Sequence, residues 1–215
     1  MPTISQKDSQ AMDSLKDRSI TITVSPVLRW VDRNKPTIET SSIGFAVTAS
    51  DPQGTATVDT TGSVNLSQMP AAPGYDENID ITLLLDTSNM RDADGNLLTG
   101  NNTPRWARSD EGTPYTDGKG KTQTCGFGWF CQITNYGPPL QYQPLPPIDI
   151  DKMAFKRKDD LNLVIEDKSD DGSPPYAFKF GFVLPGQYNG YFISIDPVLS
   201  TKGTRTTTNS FMLND

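Results

Sequence analysis

Residues 178–184 read FKFGFVL, and this stretch decides the predicted fold. The phenylalanines at 178, 180 and 182 alternate with smaller or polar residues, which is the period of two expected of a strand with opposite faces. The same alternation recurs in six other segments, at 20–24, 43–49, 79–85, 127–133, 161–165 and 191–195. Seven such segments predict an all-β fold, an antiparallel β-sandwich of the immunoglobulin-like type with about seven to nine strands and long loops.

The connections between these segments set the predicted domain organisation. Residues 1–18 are polar and are predicted to form a flexible N-terminal arm, residues 19–200 a single domain, and residues 201–215 a C-terminal tail. Long insertions interrupt the domain at 50–78, 86–124 and 135–149. Because connections of this length in a compact domain are usually functional, we expect any specific site to lie on them.

Turn residues separate the predicted strands. Asn189-Gly190 suits a two-residue type I′ hairpin, and Asp94-Gly95 and Asp171-Gly172 are further turn dipeptides. Pro26 and Pro36 bracket a segment that we expect to be an edge segment or a strand pair with a kink.

The charge and composition of the chain exclude several functions. The 215 residues contain 19 Lys and Arg against 26 Asp and Glu, a net charge of −7, and no histidine. Without histidine there is no Ser-His-Asp triad and no His-ligated zinc, so we expect no enzymatic activity. An acidic chain without a basic run does not suit nucleic acid, and the absence of a long apolar window predicts no membrane span. An enzyme that uses carboxylates such as Asp149 and Asp151 is the weaker hypothesis.

The first residues also bear on localisation. They are polar and mixed in charge, and they lack the basic start, apolar centre and small-residue cleavage site of a secretory signal. The sequence therefore predicts a cytoplasmic protein, with non-classical export or a place in a virion left open.

Cys125 and Cys131 are the two cysteines, and they share one parity of the strand predicted over 127–133. On an extended strand their Cα atoms would lie about 20 Å apart, far beyond the separation of roughly 4.4–6.8 Å in a disulfide. We therefore predict buried thiols, with a disulfide and a reactive thiol as alternatives.

Aromatic residues outside the core pattern are the candidate ligand-binding residues. They are predicted to lie on loops or on the face opposite the core. The candidates are Trp106, Tyr115, Tyr136 and Tyr142, in a wider set with Phe130, Tyr188 and Phe192. Such rings stack on the apolar faces of sugars, form the centres of protein interfaces, or simply cover a second face of the sheet. All three interpretations remain open from the sequence.

An acidic loop is the candidate metal site. Asp92, Asp94 and Asn96 resemble the start of a calcium loop, and calcium needs six to eight oxygen ligands. The bidentate Glu expected near the end of such a loop is replaced by Thr103, so the loop is not an EF-hand. The alternative is a plain hairpin turn with solvated aspartates.

The C-terminal half carries a resemblance to a known family. The segments are LNLVIEDKSDDG, PYAFKFGFVL and YFISIDPVLSTKG, with a strand ending in Asp167, an acidic turn at 170–172 and a closing Asp196-Pro197. They resemble the DP-EP family of small uncharacterised bacterial proteins over about half of the chain. The resemblance implies a small β-sandwich and no known activity.

These observations predict a non-enzymatic β-sandwich that acts as a binding or self-assembly module. The expected partner is a protein or a second copy, through an edge strand or the aromatic face, with a two-fold homo-oligomer as the default. The alternative is a carbohydrate-binding, lectin-like domain, with or without calcium.

Overall fold

The computed structural model of the chain describes residues 15–38, 42–54, 56–67, 69, 72–137, 141–168, 176–195 and 198–199. Over these ranges the fold is all-β, which confirms the predicted class, and helix is limited to short 3-10 turns such as Gly100–Asn102 and Gly186–Tyr188. None of the helices in the described ranges has the length and hydropathy to cross a bilayer. The predicted turn at Asp171-Gly172, the C-terminal tail and most of the N-terminal arm lie outside the described residues.

Seventeen strands follow one another along the described chain. They are β1 (Lys16–Pro26), β2 (Arg29–Asp32), β3 (Lys35–Thr37), β4 (Ile43–Asp51), β5 (Thr57–Val58), β6 (Val64–Asn65), β7 (Tyr75–Leu85), β8 (Arg105–Trp106), β9 (Pro114–Thr116), β10 (Thr122–Thr124), β11 (Gly128–Asn135), β12 (Gln141–Ile148), β13 (Met153–Arg157), β14 (Asn162–Asp167), β15 (Tyr176–Leu184), β16 (Tyr191–Ile195) and β17 (Val198–Leu199).

Two sheets make up most of the molecule. The first has the order β13-β14-β7-β1-β4, and it is antiparallel except for its β1–β7 pair, which is parallel. The second has the order β12-β11-β15-β17-β6-β5, with β8 and β16 also paired to β15. Two hairpins, β2–β3 and β9–β10, stand outside these sheets.

One apolar core is shared by both sheets. The first sheet contributes every second residue of β1, β7 and β14, and the second contributes the phenylalanines at 178, 180 and 182. Phe155 of the first sheet packs on Phe130 and Phe178 of the second, with ring centroids 4.8 and 6.0 Å apart. The period-two alternation therefore identifies the face of each strand that is buried between the sheets.

All seven segments predicted as strands coincide with strands, namely β1, β4, β7, β11, β14, β15 and β16, of which β11 and β14 begin one residue later than predicted. The bracketed segment between Pro26 and Pro36 contains β2 and the start of β3, which confirms the strand pair. β1 begins at Lys16, inside the predicted arm, because Arg18 is buried and donates to the carbonyls of Met69 and Glu77 at 3.1 and 2.5 Å.

The other differences lie in the connections. The three long insertions hold strands of their own, and residues 135–149 contain β12, which pairs with β11. The prediction of a two-residue hairpin at Asn189-Gly190 is wrong, because Leu184 pairs with Tyr191 and the connection between these two residues has six residues. Both turn residues nevertheless take the positive φ that their types tolerate, 54° for Asn189 and 72° for Gly190.

Candidate binding site: an aromatic cleft

A cleft of about 320 Å³ opens where β13 of the first sheet faces β11 and β12 of the second. We name it the aromatic cleft. The described residues that line it are Tyr115, Cys125, Phe127, Gly128, Trp129, Phe130, Pro147, Ile148, Asp149, Ile150, Met153, Ala154 and Phe155. Its volume is at the lower end of the range of roughly 300–1,000 Å³ typical of small-molecule sites.

Two of the long insertions meet at this cleft. Tyr115 comes from β9 within the 86–124 insertion, and Pro147, Ile148 and Asp149 come from the end of the 135–149 insertion. The two are in contact, since β9 lies against β12. Nine of the thirteen described lining residues nevertheless lie on strands, so the cleft is formed by strands as well as by the long connections, and the expectation that a site lies on the connections stays a prediction.

An ion pair within the 86–124 insertion joins β8, which pairs with β15 of the second sheet, to the loop that precedes β9. The Arg105 guanidinium donates to both carboxylate oxygens of Glu111, at 2.8 and 2.7 Å, and the backbone N–H of Arg108 donates to the same carboxylate at 2.7 Å. These bonds, led by the one from Arg105, lower the pKa of Glu111 from 4.5 to about 2. The backbone carbonyl of Glu111 in turn accepts from Gly126 at 2.9 Å, beside the cleft residue Cys125.

A glycine allows an aromatic ring to close one wall of the cleft. A Cβ atom on Gly128 would lie only 2.3 Å from the Phe155 ring, so the ring rests directly on the backbone of β11. The same ring packs on Phe130, with the centroids 4.8 Å apart. A larger residue at position 128 would therefore force the Phe155 ring or the backbone of β11 to move.

The titratable side chains of the cleft differ in charge. Burial is the main cause that raises the pKa of Tyr115, with further increases from the charges of Asp117 and Asp149. Burial also raises the pKa of the Cys125 thiol, whose sulfur accepts from the Thr113 N–H at 3.1 Å. Both groups are therefore neutral at pH 7, and the exposed Asp149 is the one carboxylate among the described lining residues.

The structure separates the four predicted ligand-binding aromatics. Tyr115 lines the cleft, whereas Tyr136 is 62% exposed and is not among the described lining residues. Trp106 was predicted on a loop or an outer face, and this placement is wrong. It is 0% exposed in the shared core, where its ring meets Phe180 edge-on at 5.4 Å and its Nε1–H donates to the Leu161 carbonyl at 2.8 Å.

Tyr142 belongs to a second, smaller apolar cluster. Half-buried residues, among them Tyr142, Leu145 and Phe192, pack there on Cys125, Trp129, Cys131 and Ala177. For Tyr142 and Phe192, this packing matches the interpretation that the rings cover a second face of the sheet. Cys125 and Cys131 are both buried and are not joined in a disulfide, which confirms the prediction of buried thiols.

The predicted calcium loop has the hydrogen bonding of a hairpin turn. One carboxylate oxygen of Asp92 accepts from the backbone N–H of Asp94 at 2.9 Å and of Asn96 at 2.8 Å, and these bonds, that of Asn96 foremost, lower the pKa of Asp92. Asp94 instead forms an ion pair with Arg33 at 2.8 Å. The described residues contain no group of three or more His, Cys, Asp or Glu placed to hold a metal, and calcium binding stays a prediction.

Sequence reasoning missed much of the cleft. None of the seven predicted strand segments covers residues 153–157, which form β13 and supply Met153, Ala154 and Phe155 to the lining. Alternation across Ala154, Phe155 and Lys156 was the available signal, but it extends over too few residues to exclude a helix.

Comparison of the chain with known proteins finds no matching family model, no matching curated protein and no matching solved structure. The resemblance to the DP-EP family stays a prediction.

Proposed function

We propose that the protein is a non-enzymatic binding module whose ligand occupies the aromatic cleft. The observation that carries the proposal is the convergence of the 86–124 and 135–149 insertions on one cleft lined by Tyr115, Phe127 and Phe155. The described lining residues offer one carboxylate, Asp149, and the pKa values of the other two titratable groups, Tyr115 and Cys125, are raised by burial, which favours binding over catalysis.

For the architecture we propose a sandwich, supported by the single core that the two sheets share. The immunoglobulin-like type is a further proposal, and the parallel β1–β7 pair is a departure from its wholly antiparallel sheets.

Two tyrosines provide a matched test of the proposed site. A panel of small ring-bearing and charged molecules is screened by ligand-observed NMR against the wild type, Y115A and Y136A. We expect molecules that bind the wild type to lose binding roughly tenfold or more to Y115A and to bind Y136A unchanged, since only Tyr115 lines the cleft. Binding that survives Y115A and fails with Y136A would contradict the proposal.

A second candidate function is self-association through β4, which is an edge strand of the first sheet. The other long edges are protected: β12 carries three prolines, and β13 carries Lys156 and Arg157. Residues 43–50 of β4 contain neither a proline nor a charged side chain. Antiparallel pairing of β4 with β4 of a second copy would form a two-fold dimer with one continuous sheet.

Self-association through β4 can be tested by changing the salt concentration and by adding a positive charge to that strand. Because each copy carries a net charge of −7, the dimer should strengthen as salt screens the repulsion between copies. We expect A46K to abolish the dimer, and T82K, which adds the same charge on inner strand β7, to retain it. Light scattering after size-exclusion chromatography measures the molar mass of the wild type and of both variants. A wild type that is monomeric at all concentrations would contradict this candidate function. So would an A46K variant that dimerises as strongly as the wild type.

The carbohydrate-binding alternative receives less support from the cleft. Sugar sites combine aromatic rings with several side chains that bond hydroxyl groups. The described lining residues provide the rings, but they include neither Asn nor Gln. Tyr115, Cys125, Trp129 and Asp149 carry polar N–H, O–H, S–H or carboxylate groups, and the Trp129 Nε1–H already donates to the Pro144 carbonyl at 2.7 Å.

A further inference from the structure

We infer that the aromatic cleft recognises an organic cation, a quaternary ammonium group carried by a small molecule. The inference rests on the proposed function, in which the cleft is the binding site. Two properties of the described lining support it: its net charge and its density of aromatic rings.

The charge of the cleft is negative. Asp149 is an exposed carboxylate, and no Lys or Arg is among the described lining residues. Tyr115 and Cys125 stay neutral because burial raises the pKa of each. The charges of Asp117 and Asp149 both reach the Tyr115 hydroxyl, where they disfavour a further negative charge. At Tyr115 this field favours a cationic ligand and opposes an anion, whereas at Cys125 the charge of Lys179 acts in the opposite sense.

The rings of the cleft suit a weakly hydrated cation. Tyr115, Phe127 and Phe155 are half-buried, and Trp129 and Phe130 lie deeper, at 6% and 5% exposure. Aromatic faces attract cations through their quadrupoles, and a quaternary ammonium loses little hydration when rings surround it. An ordinary ammonium would need hydrogen-bond acceptors on several sides, and the described lining has one carboxylate.

The size of the cleft favours a compact ligand. A volume of about 320 Å³ is at the lower limit for small-molecule sites, so it suits a headgroup of a few carbon atoms around nitrogen. A trimethyl-lysine side chain of a protein carries the same quaternary ammonium group. Titration with choline and with a trimethyl-lysine peptide distinguishes a small-molecule ligand from a protein ligand.

Choline and its neutral isostere 3,3-dimethylbutan-1-ol are the probes, since they differ in charge but hardly in shape. Titration calorimetry of the full chain is expected to show choline binding and at least fivefold weaker binding of the isostere. A trimethyl-lysine peptide is titrated in parallel, and the tighter of the two cations shows whether the group is borne by a small molecule or by a protein.

Asp149 and Asp151 are a matched pair of exposed carboxylates two residues apart, and only Asp149 is among the described lining residues. We expect D149N to weaken choline binding roughly fivefold, and D151N to change it less than twofold. Added salt should weaken choline binding to the wild type more than to D149N.

The outcomes separate this inference from the function on which it rests. Equal binding of choline and the isostere, unaffected by D149N, would overturn the cation inference while leaving the cleft as the site. The cation inference would also be overturned, with the cleft kept as the site, if neither choline nor the isostere binds while other molecules bind the wild type and lose binding to Y115A. Binding that depends on neither Tyr115 nor Asp149 would overturn the inference and the proposed function together.

Discussion

Replacing Trp106 with alanine is expected to lower the free energy of unfolding by about 3–5 kcal/mol. The indole is fully buried, packs edge-on against Phe180, and donates to the Leu161 carbonyl at 2.8 Å. Alanine would leave a cavity between the sheets and a carbonyl without its donor, and each of these is destabilising. Urea unfolding followed by far-ultraviolet circular dichroism measures the loss without depending on tryptophan fluorescence.

Trp30 is the matched control for this substitution. It is half-buried, contacts Tyr188 at 5.1 Å between ring centroids, and belongs to the β2–β3 hairpin outside the two main sheets. We expect W30A to cost roughly 1–2 kcal/mol, clearly less than W106A. A W106A protein that keeps the stability of the wild type and loses only ligand binding would show that Trp106 is an exposed contact and that the described core is wrong.

Replacing Glu111 with glutamine is expected to cost about 2 kcal/mol at pH 7. The side chains of Arg105 and Glu111 are only 12% and 27% exposed, and their contact is bidentate. Glutamine keeps the shape of the side chain but loses the charge that holds the guanidinium. Because the pair fixes the 86–124 insertion, E111Q should also weaken ligand binding at the cleft.

The pH dependence of this effect has a defined sign. The pKa of Glu111 is lowered on folding from 4.5 to about 2, so the folded state favours the charged form. Its stabilisation is fully present above pH 4.5 and is lost as the pH falls towards 2. The difference in free energy of unfolding between the wild type and E111Q should therefore be constant from pH 7 to 5 and shrink below pH 4.5.

Glu166 provides the control for Glu111. Its ion pair with Lys156 has a similar distance, 2.7 Å, but the lysine side chain is 52% exposed. Exposed pairs contribute at most about 1 kcal/mol, so E166Q should cost less than E111Q. Equal losses for both variants, or a loss for E111Q that does not change between pH 5 and 3, would contradict the role given to the Arg105–Glu111 pair.

The fold class was predictable because alternation is a property of local sequence. The phenylalanines at 178, 180 and 182 and the aliphatic residues over 79–85 repeat with the period of a strand, and the structure buries both sets on one core. The start of β1 was not predictable in the same way, because Arg18 is charged yet buried by hydrogen bonds to distant carbonyls.

The site was predictable only in part. The lengths of the insertions indicated the connections that contain Tyr115 and Asp149, two residues that line the proposed site. Nothing local identified Trp106 as core, since β8 has two residues and is buried by pairing with Phe182 and Val183, which are 76 and 78 positions further along. Whether a single aromatic residue in a polar segment is buried depends on such pairing with distant strands. The local sequence pattern carries no information about that pairing.

Chemical-shift changes on ligand binding show where the ligand contacts the folded chain. Backbone amide shifts of the ¹⁵N-labelled protein are followed during titration with choline or with the tightest molecule from the screen. Binding in the aromatic cleft predicts shifts concentrated at Tyr115, at 125–130 and at 147–155. Shifts concentrated on β4, around Tyr136 or on the loop at 92–96, with the cleft residues unchanged, would contradict it.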